Sequence, residues 1–198
     1  MNALSDISTF LVHSLATLYL LVVLLRFLLQ QARADFYNPV SQFTVKATNP
    51  LLFPLRRIIP GFAGIDFASV ALALLLQLAT IELMCLLSGF GLINPLTALM
   101  WGLLGCLGLI LNIYFFGLLV LIIVSWVAPQ THNPALILLQ QLIEPAMAPF
   151  RKLIPPLGGL DITPIFAFLA INVGKIILSH LNQAAGLMGN LVYLVPGA

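Results

Sequence analysis

The stretch NPVSQFTVKATNPLLFPLRRIIPGFAGID at residues 38–66 recurs as NPALILLQQLIEPAMAPFRKLIPPLGGLD at residues 133–161. The two copies lie 95 residues apart and align without a gap. Proline, glycine, arginine and aspartate seldom coincide by chance at one offset, whereas matched leucines would mean little. The chain is therefore predicted to consist of two tandem repeats, residues 1–95 and 96–198. The repeated motif comprises Pro50, Pro54, Pro60, Gly64 and Asp66 in the first copy, and Pro145, Pro149, Pro155, Gly159 and Asp161 in the second.

The chain is too apolar for a water-soluble protein, since 61% of its residues are hydrophobic, 7% are charged and its mean hydropathy is +1.11. A soluble domain carries about 25% charged residues, so the apolar side chains here must face lipid. A crossing needs roughly 20 apolar residues, and such runs lie at about 8–29, 66–88, 95–127 and 161–181. We predict an all-α membrane protein.

The long apolar run at residues 95–127 permits either one tilted helix or a hairpin of two short spans. The basic residues decide between them, because the positive-inside rule places both basic groups in the cytoplasm. An even number of crossings must then separate the groups, which favours four spans with both termini in the periplasm. The first group is Arg26, Arg33, Lys46, Arg56 and Arg57, and the second is Arg151 and Lys152.

Each repeat contributes two spans, so both repeats enter the membrane in the same direction, which predicts a pseudo-two-fold axis along the membrane normal. The stretch between the two spans is too short to cross. We predict that its internal prolines break it into short pieces, which form an amphipathic or re-entrant element at the cytoplasmic interface. Apolar residues recur there at roughly helical spacing, namely Val40, Phe43, Ala47, Leu51, Leu55 and Ile58, and in the second repeat Leu138, Leu142, Met147, Phe150 and Ile154.

The repeated charged residues have plausible structural roles. Asp66 and Asp161 each precede a span, where a carboxylate can accept the free N–H groups of the first helical turn. Each could also pair with the arginine of its own repeat, and the two roles are compatible. Gly64 and Gly159 are predicted to form the turn before the cap. Two basic pairs are predicted to anchor the loops at the lipid headgroups or to bind a cytoplasmic protein or a specific lipid: Arg56 with Arg57, and Arg151 with Lys152.

Four polar side chains fall at membrane depth, where lipid cannot satisfy them and a functional role is the first hypothesis. Gln77 and Asn172 are equivalent under the 95-residue offset and could hydrogen-bond across the bundle. Glu82 and Lys175 follow the two aspartates by similar distances along their helices, so they could form an ion pair or reach the outer surface separately. The glycines between 102 and 108 offer a smooth face for helix packing or dimerisation.

The stretch Asp35-Phe-Tyr-Asn-Pro39, the Ser125-Trp126 pair and both R-[RK]-x-I-P blocks with their G-x-D endings resemble the YggT family, also called YlmG in some lineages. The defining unit of that family is this tandem membrane repeat, and the resemblance extends over nearly the whole chain. It implies a bacterial inner-membrane protein of unestablished molecular activity. Relatives have been linked to osmotic stress and potassium limitation, to cell division or nucleoid distribution, and in chloroplasts to assembly of a b-type cytochrome.

The sequence contains no nucleophile elbow, phosphate loop or metal-ligand spacing, so we expect neither an enzyme nor a cofactor. Two functions remain. The first is a non-enzymatic scaffold or assembly factor, and the alternative is a small ion transporter, channel or channel modulator. The expected partners are membrane lipids, a membrane or cytoplasmic protein at the basic loops, and a second copy of the chain, with no direct contact to nucleic acid.

Overall fold

The structure is a computed structural model and describes residues 3–62, 64–127, 133–153 and 161–198. Four helices in it are long and apolar enough to cross a membrane: α1, α3, α4 and α6. The prediction of an all-α protein with four spans is therefore confirmed. In chain order the described helices are α1 (Ala3–Gln31), α2 (Pro39–Ile58), α3 (Phe67–Leu87), α4 (Pro95–Val127), α5 (Pro134–Leu153), α6 (Thr163–Ala184) and a short 3-10 helix (Gly189–Leu194).

The long apolar run forms a single helix. α4 has 33 residues without a break, so its length is about 50 Å at 1.5 Å per residue. That exceeds a hydrocarbon core of about 30 Å, which means that α4 must tilt or extend beyond the core. The interpretation as a hairpin of two short spans is excluded.

The two repeats fold alike and lie side by side. α1 packs on α3 and α4 packs on α6, while α2 contacts both spans of the first repeat and α5 both spans of the second. α2 and α5 also contact each other. We call the end of the bundle at which these two helices lie the loop-helix end. There the Asn38 side-chain N–H donates to the Pro134 carbonyl at 2.7 Å, and the Asp35 N–H donates to the Gln141 side chain at 2.9 Å. Because the two repeats run in the same direction, their loop helices must lie at the same end of the bundle.

The prediction that the internal prolines break the loops into short pieces is wrong. α2 contains Pro50 and Pro54, α5 contains Pro145 and Pro149, and each is one continuous helix of 20 residues. Prolines four residues apart lie on one face of a helix, and all four are exposed. The missing backbone hydrogen bonds therefore fall on the outer face, while packing of the inner face against the spans holds each helix together.

The inner faces of the two loop helices have opposite character. α2 turns apolar side chains outward, with Phe43 62% and Ile58 78% exposed. Its buried residues are mostly hydroxyl-bearing: Ser41, Thr44, Thr48 and Leu52. The buried residues of α5 are entirely apolar: Leu138, Leu142, Ile143 and Met147. The first repeat thus holds its loop helix through polar groups as well as through the apolar packing of Leu52, whereas the second holds its own through apolar packing.

A tight turn joins α2 to α3. Gly64 adopts a φ of +81°, which favours glycine because it has no Cβ to clash. Phe62 and Ile65 exchange backbone hydrogen bonds of 3.2 and 3.0 Å on either side of the turn. Pro60 is exposed just after α2 ends. The equivalent Pro155 and Gly159 lie outside the described residues, so the matching turn of the second repeat stays a prediction.

The apolar segment after α6 packs inside the bundle at the end opposite the loop helices. Its side chains Leu187, Leu194 and Val195 are buried in one cluster with α3 residues and Trp101. The Trp101 indole N–H donates to the Ala185 carbonyl at 2.9 Å. We call residues 186–198 the tail. It has no counterpart in the first repeat, where the residues 95 positions earlier lead into α4 instead.

The tail covers the glycine face of α4. The carbonyl oxygen of Gly197 lies directly against Gly108, and the carbonyl oxygen of Pro196 lies 2.7 Å from where a Cβ at Gly105 would be. The smooth face predicted from the sequence is therefore occupied within the chain, and a second copy could not use it. Association of two copies through another surface stays a prediction.

Candidate functional site

The arginine and aspartate of the first repeat form a partly buried ion pair beside α3. The Arg56 guanidinium pairs with the Asp66 carboxylate, whose side chain is only 5% exposed. Asp66 also begins α3, accepting hydrogen bonds from the Ser69 N–H at 3.4 Å and the Ser69 hydroxyl at 2.7 Å. The side chain thus takes both roles expected from the sequence. Burial raises the pKa of Asp66, but the hydrogen bonds from Arg56 and Ser69 outweigh it and hold the pKa below its ordinary value.

The corresponding pair of the second repeat is at the surface. Arg151 Nε lies 3.6 Å from an Asp161 carboxylate oxygen, and both side chains are about half exposed, at 45% and 48%. Asp161 accepts a hydrogen bond of 2.9 Å from the Thr163 N–H in the first turn of α6. Hydrogen bonding by Thr163, first through its side chain and then through this N–H, lowers the pKa of Asp161, and the nearby Arg151 charge adds to the effect. Arg151 also binds Glu144 through contacts of 2.6 and 2.8 Å. A surface network of this kind contributes little to stability.

Each ion pair lines a cleft, and the two clefts occupy equivalent places in the repeats. The first has a volume of about 520 Å³ and the second about 490 Å³. Five lining residues of the second stand 95 positions after five of the first. In the first cleft they are Arg26, Gln30, Val45, Arg56 and Asp66, and in the second they are Leu121, Ser125, Gln140, Arg151 and Asp161.

Arg26 distinguishes the first cleft from the second. It is 4% exposed and donates to the Thr48 hydroxyl, to the Asn49 side chain at 2.8 Å and to the Val45 carbonyl at 3.3 Å. Its Nε has no hydrogen-bond partner among the described residues. In the second repeat the places of Arg26, Thr48 and Asn49 are taken by Leu121, Ile143 and Glu144, so the described residues of that cleft include no buried cation.

The charges of the clefts therefore have opposite signs. Arg26 and Arg56 face one carboxylate, Asp66, so these groups give the first cleft a net charge of +1. The second cleft brings Arg151 together with Glu144 and Asp161, a net charge of −1. Two sites of similar volume thus suit ligands of different charge.

The sequence alone predicts only that Arg26 helps to orient the protein in the membrane. Its place in the cleft is seen only in the structure. A signal was nevertheless present: the repeat offset matches Arg26 with Leu121, inside an apolar run. A charged residue where the other copy has leucine indicates a specialised environment. The helical face of α2 that opposes it is also richer in hydroxyl groups than its counterpart in α5.

The second basic residue of each repeat projects from the surface. Arg57 and Lys152 are equivalent under the 95-residue offset, and both are exposed at the ends of their loop helices. Neither forms an ion pair with any described residue. Each repeat therefore uses one basic side chain internally, Arg56 or Arg151, and leaves the next one available for a partner or a headgroup.

The expectation of a hydrogen bond between Gln77 and Asn172 is wrong. The Gln77 amide donates to the Pro196 carbonyl of the tail at 2.9 Å, while the Asn172 amide donates to Phe168 of its own helix at 2.7 Å. The reason is the tail, which supplies a carbonyl acceptor beside α3 that no comparison of the repeats could provide. Two residues at equivalent places thus have different partners.

Glu82 and Lys175 do not form an ion pair in the described part of the chain. The Lys175 ammonium lies 4.4 Å from the centroid of the Phe115 ring, a cation–π arrangement. One Glu82 carboxylate oxygen is buried without a hydrogen-bond partner. Among the described residues there is also no group of three or more His, Cys, Asp and Glu that could hold a metal ion. These polar groups do not join into a single site.

The lowered pKa of Asp66 predicts a pH dependence of stability. A carboxyl with a depressed folded-state pKa contributes fully above its unfolded pKa, near 3.8, and the contribution is lost as the pH falls through the folded value. We expect the difference in thermal stability between the natural chain and Asp66→Asn to be constant from about pH 8 to about pH 5 and to shrink below about pH 4. Thermal unfolding in detergent micelles, followed by circular dichroism, measures it. A difference that widened towards low pH would contradict the prediction.

Comparison with known proteins agrees with the duplicated architecture. A family model described as CCB3/YggT matches residues 5–87 and again residues 100–182. The chain is 49% identical over 189 residues to an uncharacterized protein of Pseudomonas aeruginosa, covering 94% of this chain and 96% of that protein. It is 39% identical over 191 residues to the uncharacterized protein YggT of Escherichia coli, covering 96% and 95%.

A plant relative matches a shorter stretch. The chain is 45% identical over 65 residues to YlmG homolog protein 2, chloroplastic, of Arabidopsis thaliana, covering 31% of this chain and 24% of that protein. No solved structure matches the chain.

Proposed function

We propose that this chain, which belongs to the CCB3/YggT family, is a non-enzymatic inner-membrane scaffold or assembly factor that presents its paired loop helices to a protein partner at the cytoplasmic face. We place its role in osmotic stress tolerance or in envelope and division processes, and both termini in the periplasm. The observation that carries the proposal is the surface of the loop-helix end, where exposed basic and apolar side chains lie together.

The pairing of α2 with α5 supports this proposal. Hydrogen bonds from Asn38 to Pro134 at the start of α5, and from Asp35 to Gln141 further along it, join the two helices. Their outer surfaces therefore form one platform rather than two independent loops. The platform is built on rigid helices packed against four spans, which is the arrangement that presents a binding surface in a fixed geometry.

The chemistry of the platform indicates the kind of partner. Arg57 and Lys152 are exposed, and α2 adds Phe43, 62% exposed, and Phe53, 57% exposed. Exposed aromatic side chains beside unpaired cations suit an acidic segment that carries apolar anchors. We therefore propose that the partner offers acidic and apolar residues at headgroup level. The same features would bind anionic lipid, so the experiment must separate a protein from lipid.

Photo-crosslinking in native membranes tests the scaffold. A photoreactive amino acid placed at Arg57 or at Lys152 is expected to capture the same protein, because both residues lie on one platform. The matched control is Phe116, which is 59% exposed in the middle of α4 and should capture lipid. Mass spectrometry of the adducts identifies what is bound. Recovery of lipid alone from all three positions would contradict the proposal.

Charge reversal gives the scaffold test a second readout. With the photoreactive group at Phe43, Arg57→Glu and Lys152→Glu are each expected to lower the yield of the protein adduct about fivefold, since a charge at such a surface contributes about 1 kcal/mol. Raising the salt concentration should lower the yield of the natural chain as well. An unchanged yield in both variants would show that the basic residues do not take part.

One observation favours the alternative of a small ion transporter, channel or channel modulator. Buried oxygens of Gln77, Glu82 and Asn182 have no hydrogen-bond partner among the described residues, and a cavity of about 340 Å³ is lined by Lys175 and Asn182. Polar groups at such depth are functional candidates. This alternative requires that purified protein in liposomes conduct or exchange ions, with Glu82→Gln or Lys175→Met changing the rate. Inert liposomes would exclude it as a stand-alone conduit.

A further inference from the structure

We propose that the cleft of the first repeat binds a phosphate group, carried by an anionic phospholipid or present as inorganic phosphate, and that the cleft of the second repeat does not. The site would be formed by the guanidinium groups of Arg26 and Arg56. This inference is independent of the protein partner proposed above, because it concerns a cleft behind α2 rather than the outer surface of the platform.

The buried charge of Arg26 forms no ion pair with any residue that the structure describes. All the hydrogen bonds that it makes go to neutral oxygens, on Val45, Thr48 and Asn49. Its Nε has no partner among the described residues. A buried cation is costly unless an anion compensates it, so this arrangement calls for a counter-anion that the side chains do not supply.

The carboxylate within the cleft is already engaged. Asp66 receives Arg56, the Ser69 N–H and the Ser69 hydroxyl, which occupies both of its oxygens. The cleft therefore keeps one positive charge in excess. A guanidinium group presents a planar fork of N–H donors that matches the oxygens of a phosphate. Two guanidinium groups on one cleft can hold such an anion from two directions.

The position of the cleft suits a phosphate at a membrane surface. Arg26 lies five residues before the end of α1, which is about 7 Å along the helix axis, and the loop helices lie at that same end. Phe36 and Val45 provide apolar walls beside the arginines. A phospholipid headgroup could therefore place its phosphate between the arginines and its glycerol region against Phe36 and Val45.

The second repeat provides a control within the same molecule. Its cleft has similar volume and lies against an equivalent ion pair, but Leu121 replaces Arg26 and Glu144 binds Arg151. Its net negative charge repels an anion. A general attraction of the membrane surface for arginine would act on both clefts, whereas a phosphate site is expected only in the first.

The experiment measures phosphate binding by the purified full-length chain and by three variants. The variants are Arg26→Leu, which copies the second repeat, Arg56→Gln, and the matched control Arg151→Gln. Two probes separate the sources of phosphate. Native mass spectrometry counts phosphatidylglycerol retained from nanodiscs of phosphatidylethanolamine with or without phosphatidylglycerol. Thermal unfolding in detergent, with inorganic phosphate or with chloride at the same ionic strength, reports the free anion.

The natural chain and Arg151→Gln are expected to bind alike, and Arg56→Gln and Arg26→Leu at least tenfold more weakly. Retained phosphatidylglycerol would support the site with a lipid as its ligand, and stabilisation by inorganic phosphate would support it with the free anion. Arg26→Leu removes internal hydrogen bonds and could fail to fold. In that case the binding of the two probes by Arg56→Gln tests the proposal. Binding of neither probe, or an equal loss in Arg56→Gln and Arg151→Gln, would overturn the proposal.

Discussion

Replacement of Gly108 by alanine is expected to displace the tail from the bundle. A Cβ at this position would overlap the carbonyl oxygen of Gly197 and would lie 2.8 Å from its carbonyl carbon. Both obstacles are backbone atoms, so no change of rotamer can relieve the clash. Overpacking of this kind destabilises a fold by about 1–3 kcal/mol. Thermal unfolding in detergent should show a lower midpoint, and the backbone amides of residues 189–197 should exchange faster with deuterium.

Gly102→Ala is the matched control, because it makes the same substitution six residues earlier in α4. Its Cβ would meet the Gln77 side chain at 3.5 Å, an ordinary van der Waals distance. Both substitutions raise the intrinsic helix propensity by about 1 kcal/mol, so their difference isolates the contact with the tail. We expect Gly102→Ala to leave the tail protected and the midpoint unchanged or raised. Identical behaviour of the two variants would show that the tail does not depend on the glycine face.

The second large effect is expected from Asp66→Asn. This change removes the charge that compensates Arg56, while Arg26 remains buried nearby; the asparagine oxygen can still accept the Ser69 N–H and cap α3. Breaking this ion pair should lower the free energy of unfolding by about 2 kcal/mol, less than for a fully buried pair because Arg56 is 36% exposed. Denaturation at pH 7 in mixed micelles measures it.

Asp161→Asn makes the same change at the equivalent place of the second repeat. The pair that it disrupts is about half exposed on both sides, and Arg151 keeps its contacts to Glu144. The expected loss is therefore below about 1 kcal/mol. A comparable loss in the two variants would mean that burial does not distinguish the repeats. A loss confined to Asp66→Asn would show that the first repeat depends on its buried ion pair.

The spans and the parallel arrangement could be predicted because they follow from regularities that one sequence displays. Hydropathy locates the spans, and the placement of basic residues fixes an even number of crossings between Arg57 and Arg151. The repeat offset then gives the pseudo-symmetry. The cap of α3 by Asp66 could also be predicted, because an aspartate directly before an apolar run can accept the free N–H groups of the first helical turn. At α6 the N-cap is Ile162, and Asp161 accepts the Thr163 N–H from one residue earlier. Each of these inferences depends on residues close together in the chain or related by one fixed offset.

The departures from symmetry could not be predicted in the same way. Gln77 meets the tail because residues 119 positions apart come together, and no periodicity indicates such a contact. The prolines of α2 and α5 misled the prediction because their usual effect on an isolated helix is offset here by packing. The role of Arg26 could not be predicted, because it depends on the burial of this side chain and on the hydroxyl-rich face of α2. Both are properties of the packed structure.

The two loop helices are held by different contacts, and this difference has a consequence for how the chain assembles during synthesis. During synthesis α2 leaves the ribosome 95 residues before α5, so the partner helix to which Asn38 later bonds does not yet exist. Arg26, already present in α1, can hold α2 through the Thr48 and Asn49 side chains during this interval. When α5 emerges, α1, α2 and α4, which it contacts, have already been synthesised, and α6 is still to come. The first half of the chain can thus serve as the template on which the second half assembles.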